Sequence, residues 1–166
     1  MRLWRALILG GMLSLAGVSA ALAMGNTGFV QDTLIGKPAT DFTLDTVKGN
    51  KVNLTEYRAG KKAIIFFWAT WCPHCREELK RVDDLREKFA AQGIRIILIS
   101  LGEDKGTVQE YLARHHYDFD VLLDVDQTLE GPYHLIGVPT LFFVNEAGVI
   151  KLEDHAFPDN YEELFK

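Results

Sequence analysis

Cys72 and Cys75 are the only cysteines in the chain of 166 residues, and Pro73 and His74 separate them. Two residues between cysteines let the second sulfur reach the first within one helical turn. Such a pair can alternate between a dithiol and a disulfide, which is the chemistry of thiol–disulfide exchange. A disulfide that closes so small a loop would stabilise a fold little through chain entropy, so a purely structural role is the weaker explanation.

The segments on either side of the cysteines predict how they are positioned. Residues 63–69 form a continuous apolar run, which is typical of a strand buried on both faces. Residues 76–92 are helix-like, and Gly93 is expected to end that helix. Pro73 suits the first helical turn because it needs no N–H donor there. The peptide N–H groups and the dipole of a helix N-terminus favour a thiolate.

The rest of the chain predicts strands that alternate with helices. Residues 41–44 and 51–54 alternate apolar and polar side chains around 47–50, which indicates a β-hairpin. Further strands are expected at 94–101, 119–123, 140–144 and 149–152, and helical segments at 107–115, 129–133 and 160–166. This order, with a final hairpin, predicts an α/β fold with a mixed sheet.

The N-terminus has the pattern of an export signal. Arg2 and Arg5 precede an apolar stretch at 6–18, and 21–23 supply small residues for cleavage before residue 24. We therefore expect residues 1–23 to be a signal peptide. An N-terminal membrane anchor is the alternative, since the apolar stretch is nearly long enough to span a bilayer. Either way, the protein is expected in the periplasm or otherwise outside the cytoplasmic membrane.

Length and charge limit the other classes. We expect residues 24–33 to be a lead-in segment and residues 34–166 to form one domain. The net charge is −5, and we find no basic patch, so nucleic acid is not an expected partner. We expect a monomer.

Three segments of the sequence resemble the thioredoxin superfamily, and more narrowly its exported TlpA/ResA-like thiol–disulfide oxidoreductases. They are Asp-Phe-Thr-Leu at 41–44, Phe-Trp-Ala-Thr-Trp-Cys-Pro-His-Cys-Arg-Glu-Glu at 67–78, and Gly-Val-Pro-Thr-Leu-Phe-Phe-Val at 137–144. The resemblance covers about residues 34–155. It implies the thioredoxin fold, a central mixed β-sheet flanked by helices with an N-terminal β-hairpin.

The resemblance also implies roles for individual residues. Cys72, at the helix cap, is expected to attack a disulfide of a protein substrate, and Cys75 to resolve the mixed disulfide. Pro139 is expected to be cis and to lie against the disulfide. Val138 and Pro139, with Trp71 and Pro73, are expected to form the substrate-docking surface. No cofactor is implied.

Two further residues are candidates for tuning the exchange. His74 would stabilise a Cys72 thiolate if it were protonated or placed as a donor. Glu78 lies one turn after Cys75, and ResA-like proteins carry a Glu there. A partly buried carboxylate at that place could take or return the Cys75 proton. Thioredoxin places a buried acid where this chain has Phe66, so Glu78 is the one internal proton carrier that we expect.

The direction of electron flow stays open in the sequence. The overall resemblance favours a reductase that keeps the haem-binding cysteines of apocytochrome c, or other exported thiols, reduced. Such a reductase would need a membrane or periplasmic redox partner. The Pro-His pair between the cysteines resembles that of the oxidant DsbA, which introduces disulfides.

Other uses of two cysteines fit less well. A c-type haem site needs His after the second cysteine, where this chain has Arg76. We expect no zinc or other metal site, because a zinc site needs about four ligands and no second cysteine pair exists. A Sco-like copper chaperone, with His134 as third ligand, is the alternative of a different class. A peroxidase needs Thr or Ser where this chain has Ala69.

Overall fold

A computed structural model describes residues 33–165. The predicted signal peptide at 1–23, and all but the last residue of the predicted lead-in segment at 24–33, lie outside the described residues. Within the described part, no helix is long and apolar enough to cross a membrane.

In residues 33–165, seven strands and three α-helices follow one another, and all of them except α1 correspond to predicted segments. The strands are β1 (Thr43–Thr46), β2 (Lys51–Asn53), β3 (Lys62–Trp68), β4 (Ile94–Leu101), β5 (Leu122–Asp124), β6 (Thr140–Val144) and β7 (Ile150–Asp154). The helices are α1 (Leu54–Arg58), α2 (Pro73–Ala91) and α3 (Lys105–Arg114), and a terminal 3₁₀ helix spans Tyr161–Phe165.

The strands form one mixed sheet in the order β2-β1-β5-β4-β3-β6-β7. The three central strands β5, β4 and β3 are parallel, and the strands at both edges run antiparallel to their neighbours. This is the expected α/β thioredoxin fold. Because β3 and β4 are parallel neighbours, the loops that follow them leave the same edge of the sheet.

Both faces of the sheet are covered, as the continuous apolar run of β3 predicts. On one face, Phe66 and Trp68 pack with Leu79 of α2 and Tyr111 of α3. On the other face, Ile65 and Phe67 of the same strand pack with Leu54, Phe142 and Tyr133. Side chains that alternate along a strand point to opposite faces, so β3 joins the two halves of the core.

The predicted hairpin is confirmed by the pairing of Leu44 with Val52. Its second strand ends earlier than expected, however, because Leu54 begins the short helix α1. The side chain of Asn53 caps this helix by accepting the backbone N–H of Glu56 at 3.1 Å. The apolar and polar alternation at 51–54 gave no sign of that cap, and our strand assignment for Leu54 is wrong.

The later segments follow the sequence closely. The bounds of β4 and β6 agree with the predictions, and Gly93, with a φ of 69°, follows the end of α2. The segment 129–133 is a hydrogen-bonded turn in which the Tyr133 N–H donates to Leu129 O. β5 covers Leu122–Asp124, shorter at its start than the predicted 119–123.

Candidate active site

Cys72 and Cys75 form a disulfide at the start of α2, as their spacing predicts. Cys72 is the N-cap residue of the helix, and its Sγ accepts the backbone N–H of Cys75 at 3.2 Å. Cys72 is 4% exposed and Cys75 is fully buried. Cys72 is therefore the less buried of the two residues, and its sulfur also accepts a backbone hydrogen bond.

The local sequence explains why the turn has this geometry. Trp68 ends the buried strand β3, and the Cys72 N–H donates to the carbonyl of Ala69 at 3.2 Å. Pro73 then occupies the first turn of α2. Its missing N–H costs no hydrogen bond there, because N–H groups of the first turn have no partner within the helix. The free N–H groups and the dipole of this helix point at the Cys72 sulfur, which stabilises negative charge there.

The loop before β6 lies against the disulfide. The Val138–Pro139 peptide bond is cis, as the resemblance implies. The carbonyl oxygen of Val138 lies 3.6 Å from Cys72 Sγ. The carbonyl of Pro139 lies 2.9 Å from Nδ1 of His155, a residue just after β7. Val138 thus lies next to Cys72, and the cis-proline Pro139 follows it in the chain.

Trp71 and His74 stand on the surface around the sulfurs. Trp71 is 65% exposed, which is rare for so large an apolar side chain in the described part of the chain. The His74 side chain is 82% exposed, and its Nδ1 lies 3.6 Å from the carboxylate of Glu77. Pro73 is also exposed. The site therefore offers an aromatic surface and a His–Glu pair next to the disulfide.

Glu78 lies one turn beyond Cys75, as expected, and is half-buried. Its Oε2 accepts the backbone N–H of Phe157 at 3.1 Å. Phe157 is buried against Phe89 and Phe143. The carboxylate thus joins the start of α2 to the segment that follows β7, a contact that the sequence did not indicate.

A second carboxylate near the site escaped the sequence analysis. Glu103, in the loop after β4, is 8% exposed and accepts hydrogen bonds from the backbone N–H and the hydroxyl of Thr70. Thr70 is two residues before Cys72. Glu103 is therefore a second internal carboxylate beside this turn, and the role of proton carrier expected of Glu78 stays a prediction. The signal that could have revealed Glu103 was the parallel pairing of β3 with β4. This pairing brings the loops that follow the two strands to the same end of the sheet.

In residues 33–165, no group of three or more His, Cys, Asp or Glu side chains is arranged to hold a metal ion. His134, considered as a third copper ligand, lies in the loop before β6 with a φ of 50°. No observation in the described residues favours the copper chaperone.

Comparisons with known proteins agree with the fold and the site. The AhpC/TSA family matches residues 35–153. The thiol-disulfide oxidoreductase ResA of Geobacillus kaustophilus is 31% identical over 117 residues, which are 70% of this chain and 67% of that protein. A crystal structure described as a thiol:disulfide interchange protein DsbE from Chlorobium tepidum aligns with a TM-score of 0.68. It is 28% identical and covers 78% of this chain and 92% of its own.

StoA from Bacillus subtilis is a further structural relative, with a TM-score of 0.62 and 26% identity. The match covers 76% of this chain and 94% of StoA. Thioredoxin-fold thiol–disulfide oxidoreductases are thus the class of protein that the sheet and the Cys72–Cys75 disulfide define. Within that class, this chain belongs to the AhpC/TSA family and is similar to ResA.

Proposed function

We propose that the protein is a reductase, which passes electrons from Cys72 and Cys75 to disulfides of exported proteins. In the reduced protein, the Cys72 thiolate attacks a substrate disulfide and releases one substrate sulfur as a thiolate. The Cys75 thiolate then attacks Cys72 in the mixed disulfide and frees the second substrate sulfur. The substrate gains two electrons, and the protein is left with the Cys72–Cys75 disulfide until a redox partner reduces it.

The observation that supports this direction of electron flow is the contact between His74 and Glu77. An oxidant needs a strongly stabilised thiolate, because that stabilisation favours the dithiol over the disulfide. A protonated His74 could supply it, but the Glu77 carboxylate at 3.6 Å offsets the positive charge. With His74 compensated in this way, the helix N-terminus remains as the main support of the thiolate, which favours a reductase.

Substrate docking rests on the surface around Cys72. We infer that the substrate chain lies beside Val138 and Pro139, where its sulfur can reach Cys72, and packs on Trp71 and Pro73. An exposed aromatic ring of this kind gives large contact area at a protein interface. Glu78, whose carboxylate is half-buried one turn from Cys75, serves as the group that accepts the Cys75 proton.

The setting of the protein belongs to the same proposal. The apolar N-terminal segment exports the domain, as a cleaved signal peptide or as an anchor, and the domain acts as a monomer outside the cytoplasmic membrane. Substrate cysteines in such a compartment tend to become oxidised. Haem-attachment cysteines of apocytochrome c, spaced Cys-x-x-Cys-His, are one substrate that must be reduced there before haem binds.

A peptide assay tests the direction and the substrate together. The reduced protein is mixed with an oxidised Cys-x-x-Cys-His peptide, and the oxidised protein with the reduced peptide, and the thiols are counted by mass spectrometry after alkylation. The proposal expects rapid reduction of the peptide in the first mixture and little peptide oxidation in the second. Rapid peptide oxidation with little reduction would show a DsbA-like oxidant instead.

A further inference from the structure

Every polar group of Thr70 is held by a charged side chain. Its backbone N–H donates to Glu103 Oε2 at 2.9 Å, and its hydroxyl donates to Glu103 Oε1 at 2.5 Å. Its carbonyl accepts a hydrogen bond from Arg76 Nε at 2.9 Å. Glu103 comes from the β4–α3 loop and Arg76 from the first turn of α2. The turn before Cys72 is therefore held from two separate elements of the fold.

The Glu103 carboxylate is a buried and well-partnered group. The hydroxyl of Ser100, a fully buried residue of β4, also donates to its Oε2 at 2.9 Å. A buried carboxylate is costly unless donors surround it, and here three donors converge on its two oxygens. The exchange chemistry at Cys72 and Cys75 makes no direct use of this group. Its position instead serves the residue that it binds.

We propose that Glu103 is a positioning residue for thiol–disulfide exchange, because it holds Thr70 and thereby the turn that carries Cys72. Thr70 lies between the carbonyl of Ala69, which accepts the Cys72 N–H, and the helix cap itself. A displacement of Thr70 moves the Cys72 sulfur relative to Val138 and to the approaching disulfide. Small displacements of a reacting atom slow a reaction strongly.

The charges on the two sides of Thr70 have opposite effects on the Cys72 sulfur. The Glu103 carboxylate disfavours a nearby thiolate, and the Arg76 guanidinium favours it. Together they keep the charge near the sulfur close to balanced while they hold the turn in place. This inference rests on thiol–disulfide exchange itself, and it holds for a reductase and for an oxidant alike.

Two charge-removing variants distinguish a positioning role from a general loss of rigidity in the turn that carries Cys72. Glu103→Gln and Arg76→Gln are compared with Glu87→Gln, an exposed position further along α2. For each reduced protein, the rate of reaction with a small aromatic disulfide is measured against pH. The midpoint of that curve reports the Cys72 thiolate, and the plateau at high pH reports how well the thiolate is placed.

Glu103→Gln is expected to lower the plateau rate about tenfold and to move the midpoint down by roughly half a pH unit or more. Arg76→Gln is expected to move the midpoint up by a similar amount, and Glu87→Gln to match the wild type. A wild-type plateau in Glu103→Gln would overturn the proposal. Midpoints that move in the same direction in both variants would overturn it too, since loosening alone does not depend on the sign of the charge.

Thr70→Val keeps the proposal testable if Glu103→Gln does not fold. This variant removes the hydroxyl donor to Glu103 at nearly constant volume and leaves the backbone N–H in place. Its plateau rate is expected to fall about threefold, with an unchanged redox equilibrium against glutathione. A plateau equal to that of the wild type would contradict the positioning role. The peptide assay measures the direction of electron flow separately. A failure of the proposed reductase function would therefore be distinguishable from a failure of the positioning role.

Discussion

The Sγ atom of Cys72 lies 3.6 Å from the carbonyl oxygen of Val138, although 66 positions separate the two residues in the chain. Cys72 comes from the start of α2, and Val138 comes from the loop before β6. β3 pairs with β6, which brings the end of one strand and the start of the other to the same edge. In the proposed docking mode, a substrate chain beside Val138 would therefore lie next to the Cys72 sulfur.

The first prediction assigns the two sulfurs. Cys72→Ser should abolish exchange, because the attacking sulfur is lost, whereas Cys75→Ser should still attack and then accumulate mixed disulfides. Non-reducing electrophoresis and mass spectrometry of each variant after incubation with a disulfide substrate measure this. Mixed disulfides that form on Cys75 in the Cys72→Ser protein, at the rate of the wild type, would reverse the assignment.

The second prediction concerns Trp71. Its exposed ring is expected to contact protein substrates, so Trp71→Ala should raise the KM for a protein disulfide about tenfold. The rate with a small aromatic disulfide should change far less, because that molecule needs only the sulfur. Steady-state kinetics with the two substrates measure the ratio. Equal losses with both would show that Trp71 supports the turn rather than the docking surface.

The third prediction concerns Glu78. If its carboxylate accepts the Cys75 proton, Glu78→Gln should slow the resolution of a mixed disulfide by roughly tenfold to a hundredfold. The attack by Cys72 should keep its rate. Stopped-flow measurements of the two steps against pH separate them, with Glu87→Gln as the matched control on the same helix. A resolution step with the same rate and pH profile as the wild type would remove Glu78 from the mechanism.

The hairpin and α1 give a prediction about acid stability. Although burial opposes it, hydrogen bonds from Asn53 and Thr55 lower the pKa of Asp41 below its ordinary value. A lowered folded-state pKa adds stability above the unfolded-state pKa, and that stability is lost as the pH falls through the folded value.

Asp41→Asn should therefore lower the urea midpoint near neutral pH. It should also make the decrease of that midpoint between about pH 5 and about pH 2 smaller than in the wild type. Asp126→Asn, at an exposed position, serves as the matched charge-removal control. Urea titrations across this pH range, followed by tryptophan fluorescence, measure both effects. A curve for Asp41→Asn that runs parallel to the wild-type curve would contradict the role of these hydrogen bonds.

Much of the fold can be predicted from the sequence, because single segments have strong local patterns of apolar and polar residues. Residues 94–101 read as a buried strand and are the strand β4. The helix after Cys75 shows its buried face through Leu79, Val82 and Phe89, which recur at helical spacing. The short helix α1 was missed because five residues are too few for a periodic pattern, and its cap is a single side chain.

The site was only partly predictable for a related reason. The cysteines and Pro139 stand in recognisable motifs, so the resemblance predicts that they lie at one site. The bond between Glu103 and Thr70 spans 33 positions, and that between Glu78 and Phe157 spans 79. Hydrogen bonds over such separations depend on how the elements pack, which no local pattern in one sequence records.

The redox potential of the Cys72–Cys75 couple tests the proposed reductase most directly. The protein is equilibrated with glutathione buffers of known ratio, and the fraction in the disulfide form is measured by alkylation and mass spectrometry. For a reductase, we expect a potential near that of thioredoxin, about −270 mV. A potential near that of DsbA, about −120 mV, would contradict it and make the protein an oxidant.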